Sequence, residues 1–316
     1  MISVVIPTYN RRSLIGGAIS SVLDGQKVEC EIIVVDDGST DGVGNWLLDE
    51  YAGLPVRVIA NTRNKGPAGA RNAGILAAKG EFVALLDSDD RFLPEHLAAC
   101  LRTFAAFPVV EVVFGSALYE QNGVTVEYMG PNFVRTLDRA PTAQRNESIR
   151  VFAPEFFQYL LQSGCFFNLS TVVMRVGAAR ELMNETLRIG EDYEFWVRLS
   201  RNHRFACLNR PQIRYVLHDN NVSFENSASP SDCAPDLLAA YEIMSSYPAL
   251  GRKEKRYIKE NTADVLFSWA YRCRKHRQLR EAIRLHLRSM RFGKRLENVV
   301  ALIKISLVGL FPRFWS

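Results

Sequence analysis

Along the first 115 residues the chain alternates between two hydrophobic periods. Ile2–Pro7, Glu31–Asp36, Val56–Ala60, Glu81–Leu86 and Val110–Phe114 are short, nearly continuous apolar runs rich in β-branched side chains. Runs of this length predict strands buried on both faces. Between them, Ser13–Leu23, Gly44–Tyr51, Ala68–Ala78 and Pro94–Phe107 read as helices. Strands alternating with helices predict crossover units and a mainly parallel α/β sheet covered on both sides. Ser13 stands where a helix N-cap is expected, and Pro94 where a first-turn proline is expected.

From Ser116 to about Asn226 the pattern is mixed. The polar stretch Pro131 to Arg150 reads as a loop or flap. A helix from about Pro154, a strand around Thr171–Arg175, a helix over Gly190–Arg201 and a strand ending at Tyr215–His218 follow. Ser223–Pro235, rich in Ser, Asn and Pro, predicts a linker. Beyond it, Asp236–Tyr247 and Lys253–Gly293 are helical in pattern, and the final segment is basic and amphipathic. The expected organisation is an α/β domain over 1–226, with halves at 1–115 and 116–226, and a helical extension over 233–316.

Composition narrows this little. At 316 residues, 47% hydrophobic and 23% charged, the chain has the make-up of a folded soluble protein and not of a disordered one. Six scattered cysteines without a C-x-x-C pair predict reduced thiols, a reducing compartment and no structural zinc. The N-terminus has no basic segment followed by a long apolar one, so no secretory leader is expected. The apolar stretch Val299–Phe311 is short and interrupted by Lys304, so no membrane span is expected and the location reads as cytoplasmic. Charge is more telling. From Arg252 onward there are 17 Lys and Arg against 5 Asp and Glu, a net +12, which leaves −7 on the preceding residues because the whole is +5. An acidic body argues against nucleic-acid binding, while the basic tail calls for an anionic partner.

In open parallel sheets, ligands bind beyond the carboxyl ends of the strands. Those positions hold Pro7-Thr8-Tyr9-Asn10, Asp36-Asp37-Gly38-Ser39, Asn61 to Gly66, and Asp87-Ser88-Asp89-Asp90. Each alone is ordinary turn chemistry; four together on one rim predict a site. Three carboxylates within Asp87-Ser88-Asp89-Asp90 repel one another, and a hard divalent cation relieves that repulsion. Magnesium or manganese takes one or two carboxylates and completes its shell with water and phosphate oxygens, so the cluster suits a metal shared with a diphosphate.

Four segments carry a resemblance: Val4 to Arg11, Ile33 to Asp41, Asn64-Lys65-Gly66-Pro67-Ala68-Gly69-Ala70-Arg71-Asn72-Ala73-Gly74, and Gly80 to Asp90. In this order and spacing they resemble glycosyltransferase family 2, inverting enzymes of the GT-A fold, over roughly residues 1–226. The resemblance implies a GT-A Rossmann-like sheet and a nucleotide-sugar donor, with UDP as the expected nucleotide. It implies that Pro7, Thr8, Tyr9 and Asp37 hold the base, and that Arg71 contacts the nucleotide. Asp87 and Ser88 are expected nearest the ribose, and Asp89 as a ligand to Mn²⁺ or Mg²⁺. An aromatic face such as Tyr9 stacks on a base for about 1–3 kcal/mol. Ile189-Gly190-Glu191-Asp192-Tyr193-Glu194-Phe195-Trp196 resembles the family's Glu-Asp motif, which makes Asp192, with Glu191 beside it, the expected general base. An in-line displacement at the anomeric carbon needs such a base on the face opposite the nucleotide. The alternative for Asp192, a first-turn acid complementing the helix dipole, stays open. Phe195, Trp196 and Leu199 are read as core before sugar platform. His218 stands where relatives carry a histidine near the metal or diphosphate.

The chain lacks a Gln-x-x-Arg-Trp motif and membrane helices, which predicts transfer of one sugar per encounter. The expected acceptor is a glycan or lipid-linked hydroxyl in cell-surface polysaccharide or lipopolysaccharide synthesis. A silent nucleotide-sugar-binding scaffold and a nucleotidyltransferase remain as rivals. The latter would need a glycine-rich basic loop where Thr8-Tyr9-Asn10-Arg11-Arg12 stands. In the tail, Leu279, Ile283, Leu287 and Met290 fall at helical spacing among arginines. That pattern suits the face of an anionic bilayer on the inner side of the cell membrane, or equally packing against the body or a partner subunit.

Overall fold

The computed structural model describes residues 1–121, 124–126, 131–217 and 233–310. In chain order the elements are β1 (Ile2–Thr8), α1 (Arg12–Leu23), β2 (Cys30–Asp36), α2 (Val43–Glu50), β3 (Val56–Ala60), α3 (Pro67–Ala77), β4 (Phe82–Leu85), β5 (Arg91–Phe92), α4 (His96–Ala106) and β6 (Val110–Gln121). Then come β7 (Val124–Val126), α5 (Pro131–Arg139), β8 (Thr142–Arg145), β9 (Ile149–Phe152), α6 (Phe156–Ser163), β10 (Val173–Arg175), α7 (Val176–Ala179), α8 (Glu191–Leu199) and β11 (Arg204–Leu217). Helices α9 (Ala234–Ser245), α10 (Arg252–Lys275), α11 (Leu279–Phe292) and α12 (Arg295–Leu310) complete the chain. Two compact units result, Met1–Asp219 and Asn220–Ser316.

In the first unit, one sheet has the order β3-β2-β1-β4-β10-β6-β11-β9-β8, with β5 on β11 and β7 on β6. β1 pairs in parallel with both β2 and β4, and β2 with β3, as the continuous apolar runs predict. The chain steps outward from β1 to β3 and then returns to β1's other side, so the strand order reverses between β1 and β4, where a crevice opens. β10 enters antiparallel between β4 and β6, closing the sheet's centre with residues far downstream. Val4, Ile6, Ile32, Val34, Ala84 and Leu86 are all fully buried and form one core with α1, α2 and α4.

Several local expectations change. Ser13 lies inside α1, whose N-cap is Arg11; the Arg12 amide donates instead to Asp41 Oδ2 at 2.9 Å. Likewise α4 begins at His96 after Glu95 turns left-handed (φ 63°), and Gln26 Oε1 accepts the Leu97 amide at 3.0 Å. Both helices take their first-turn acceptors from distant segments, which makes a local capping residue dispensable. The stretch from Pro131 to Arg150 is not a loop but a helix, the strand β8 and the start of its hairpin partner β9. Its buried positions, Leu137 and Ala140, are too sparse to show as a period, and Arg150 clamps it by donating to the Leu137 carbonyl and, at 3.0 Å, to Asp138. Finally, Lys253–Gly293 is two helices, broken where Arg277 turns left-handed (φ 61°).

At the start of β6 and β11, the edge away from the crevice, His203 Nδ1 lies 2.8 Å from Glu111 and Nε2 lies 2.7 Å from Glu181. A neutral imidazole has only one N–H, so two carboxylates favour the imidazolium. Burial by itself would lower the His203 pKa, but the two carboxylates outweigh it and raise the value. Stability from a raised histidine is present in full below the ordinary histidine range and is lost as pH rises through the folded value. His203→Gln should therefore lower the melting temperature at pH 5.5 and much less at pH 9. An equal loss at both would show that the charge is immaterial.

Candidate active site

The carboxyl ends of β1, β2 and β4 are adjacent by register, with Thr8 opposite Asp36 and Val5 opposite Leu85. This brings the expected residues to one rim. Pro7 is half-buried, Thr8 is buried and Tyr9 is 46% exposed, with Lys65 Nζ 4.4 Å above its ring. Asp37 donates its amide to the Thr8 carbonyl (2.9 Å). Its carboxylate accepts from Asn61 Nδ2 at 2.6 Å and from the Gly66 amide at 2.8 Å. Asp37 thus ties the ends of β1, β2 and β3 together while keeping a half-exposed carboxylate.

Arg71 reaches the rim because α3 packs closely on the sheet. A Cβ at Gly74 would meet Val5 Cγ1 at 2.3 Å, and one at Gly69 would meet the Asn64 carbonyl at 1.9 Å. The glycines are therefore what let the helix approach. The buried guanidinium donates through Nη2 to Asp87 Oδ1 and through Nη1 to Glu191 Oε1, both at 2.8 Å. Burial works against its charge, yet Asp87 and Glu191 hold it protonated. Arg71 thereby links the Asp87-Ser88-Asp89-Asp90 loop to the Glu-Asp motif.

In that loop Ser88 is buried, and Asp89 lies 3.9 Å from Arg11. Asp90 is buried and accepts from the Ser170 hydroxyl at 2.6 Å, while the same hydroxyl accepts the Asp87 amide at 3.0 Å. Burial first, then Asp87 and Asp89, push the Asp90 carboxyl well above the ordinary range. Glu191 and Asp192 open α8 behind left-handed Gly190 (φ 77°). Burial, then Asp192, push Glu191 up to about 7 despite Arg71. Burial also raises Asp192, whose Oδ1 accepts the Tyr193 amide at 2.7 Å. Phe195, Trp196 and Leu199 are fully buried core residues. His218 lies outside the described residues.

Arg11 thus faces Asp89, and Arg71 faces Asp87, Glu191 and Asp192, while the buried Asp90 adds a fifth carboxyl group beside Asp87 and Asp89. Burial is the first cause of the raised Asp90, Glu191 and Asp192 carboxyls, and neighbouring carboxylates add to it. Among the described residues no three His, Cys, Asp or Glu side chains converge to hold a metal ion. A cation here would rest on one or two carboxylates and on oxygens of a ligand, the mode magnesium and manganese adopt with phosphates. Arg11 and Asn61 lie in segments read from the sequence but were given no role of their own, and Ser170 was not singled out. Ser170 sits in a stretch whose only signal is the Asn168 side chain capping a 3₁₀ turn.

Comparison with known proteins gives the family and the fold. The family model described as Glycosyl transferase family 2 matches residues 3–166, just over half of the chain. A succinoglycan biosynthesis protein, ExoO, of Rhizobium meliloti is 44% identical over 225 residues, covering 69% of this chain and 60% of its own length. A chondroitin synthase of Pasteurella multocida is 28% identical over 72% of this chain but only 22% of its own, so the chain spans a minor part of that relative. Among solved structures, S. aureus TarS 1–349 in complex with UDP-GlcNAc aligns with a TM-score of 0.67 at 18% identity, covering 100% of this chain and 93% of that one. The mannosyltransferase PcManGT of Pyrobaculum calidifontis, in complex with GDP-Man and Mn²⁺, aligns at 0.56 and 16% identity, covering 98% and 80%. These neighbours share the GT-A fold, a mostly parallel sheet flanked by helices and followed by C-terminal helices. From motif order, fold and family match together, the chain belongs to glycosyl transferase family 2, with relatives in polysaccharide synthesis.

Proposed function

We propose that the chain transfers a single sugar from a UDP-sugar to a hydroxyl of a glycan or lipid-linked acceptor, by one inverting displacement. The observation that carries this reading is the surplus of carboxyl groups at the end of β4 and the start of α8, poised where a charged donor would sit. Tyr9 offers an exposed aromatic face to the base, and Asp37 a carboxylate edge. Asp87 and Ser88 stand next along the rim toward the ribose. Asp89, together with His218, would hold Mn²⁺ or Mg²⁺, which when bound neutralises the diphosphate as it leaves. Asp192 takes the acceptor proton, and Glu191 with Arg71 fixes its position. The acceptor half is 116–226, and the product belongs to a cell-surface polysaccharide or lipopolysaccharide made on the inner face of the membrane. Acceptor chemistry is left to the loops, since one fold serves many specificities.

The test is donor binding followed by thermal shift, with and without manganese. Ligand at 100 times its dissociation constant should stabilise by about 2.7 kcal/mol. Asp89→Ala should abolish the dependence of nucleotide binding on metal while the protein stays folded. Metal-stimulated binding that survives the change contradicts the role of Asp89. Binding with neither hydrolysis nor transfer for any common donor would favour a silent scaffold.

A further inference from the structure

Helix α11 buries two polar side chains beside two apolar ones and leaves large apolar residues on its exposed side. Its buried positions are Ala282, Leu285, His286 and Ser289, and the polar ones among these form a closed network. His286 Nδ1 lies 2.7 Å from Asn298 Oδ1, Asn298 Nδ2 donates to Ser289 Oγ at 3.0 Å, and Ser289 Oγ donates to the Ala263 carbonyl at 2.9 Å. Leu285 is buried in the apolar core and Leu279 packs against it, but Ile283 is 38% and Leu287 52% exposed. At 100° per residue, the Leu279-Ile283-Leu287-Met290 stripe flanks the buried face, and Arg280, Arg284, Arg288 and Arg291 form the next row round the helix. Helix α12 repeats the pattern. Asn298 and Ile305 face inward, while Leu296 (75%), Val299 (40%), Val300 (43%) and Ile303 (54%) share an exposed face at i, i+3, i+4 and i+7.

Exposed apolar stripes on two successive helices are unusual for a surface bathed only in water. Their flanks say what covers them. A second copy would bring one arginine row against another, and like charges oppose that contact. An anionic lipid surface takes both features at once, apolar side chains below the headgroups and guanidinium groups among the phosphates. We infer that α11 and α12 form a docking surface for an anionic bilayer. No helix among the described residues is long and apolar enough to cross a membrane, so the contact is peripheral.

Vesicle binding requires neither donor nor acceptor, so it stands or falls apart from sugar transfer. The full chain is sedimented with phosphatidylcholine vesicles, with and without phosphatidylglycerol, at low and high salt. Binding is expected only with phosphatidylglycerol and should weaken with salt. Leu287→Ser with Leu296→Ser should abolish it at an unchanged melting temperature. Arg284→Gln with Arg288→Gln should weaken it roughly 25-fold, about fivefold per arginine. Equal binding to neutral vesicles, variants that sediment like wild type, or no binding would overturn the inference. So would a dimer, seen by light scattering, that the serine variants disperse.

Discussion

Asp192→Asn is expected to lower turnover by about 10²-fold or more while leaving donor affinity near wild type. The amide keeps the size of the side chain and can still accept the Tyr193 amide bond that orients it. What it loses is the capacity to take a proton. Because burial raises the Asp192 carboxyl, the wild-type enzyme should lose activity on acidification already above the ordinary aspartate range. That acid limb should vanish from the residual activity of the variant. Unchanged turnover, or a rise in KM alone, would remove Asp192 from proton transfer and leave it as a first-turn acid of α8.

The largest expected effect on stability comes from Arg71→Met. The guanidinium is buried and joins Asp87 to Glu191, with Asp192 close enough to feel its charge. Removing one partner of a buried pair typically costs about 3–5 kcal/mol, since the remaining charges are stranded. For a unit of this size that is a fall of roughly 6–20 °C in melting temperature. The sign with pH is fixed. Without Arg71 the acids bind protons more tightly in the folded state, so protonation relieves the strain. The gap between variant and wild type should be wide at pH 8 and narrower at pH 5. A gap that widens on acidification, or none at pH 8, would mean the cluster does not depend on Arg71.

Much of this was written locally. The strands β1, β2 and β4 follow from continuous apolar runs, because burial on both faces leaves little room for polar positions, whereas β3 is an edge strand and only half-buried. The Glu-Asp motif opens α8 as expected, since glycine at 190 supplies the left-handed turn that precedes it. What stayed hidden depends on partners distant in sequence. Asp41 and Gln26 replace local helix caps, Ser170 shapes a loop 80 residues before it, and Arg71 pairs with Glu191, 120 residues on. None of these leaves a period or a spacing to read. The tail shows the opposite failure. Its apolar spacing was plain, yet spacing alone does not reveal which stripe faces inward, and here a smaller, partly polar one does.

The antiparallel strand β10 has a consequence for anyone who cuts the gene. It hydrogen-bonds to β4 on one side and β6 on the other, yet it arrives only at residue 173. A product stopping at residue 166, where the family match ends, would lack both β10 and β11 and so bare β4 on one side, β6 on both and β9 on one. Such bared borders recruit neighbouring chains, and the truncated product should precipitate on release from the ribosome instead of serving as a miniature nucleotide binder.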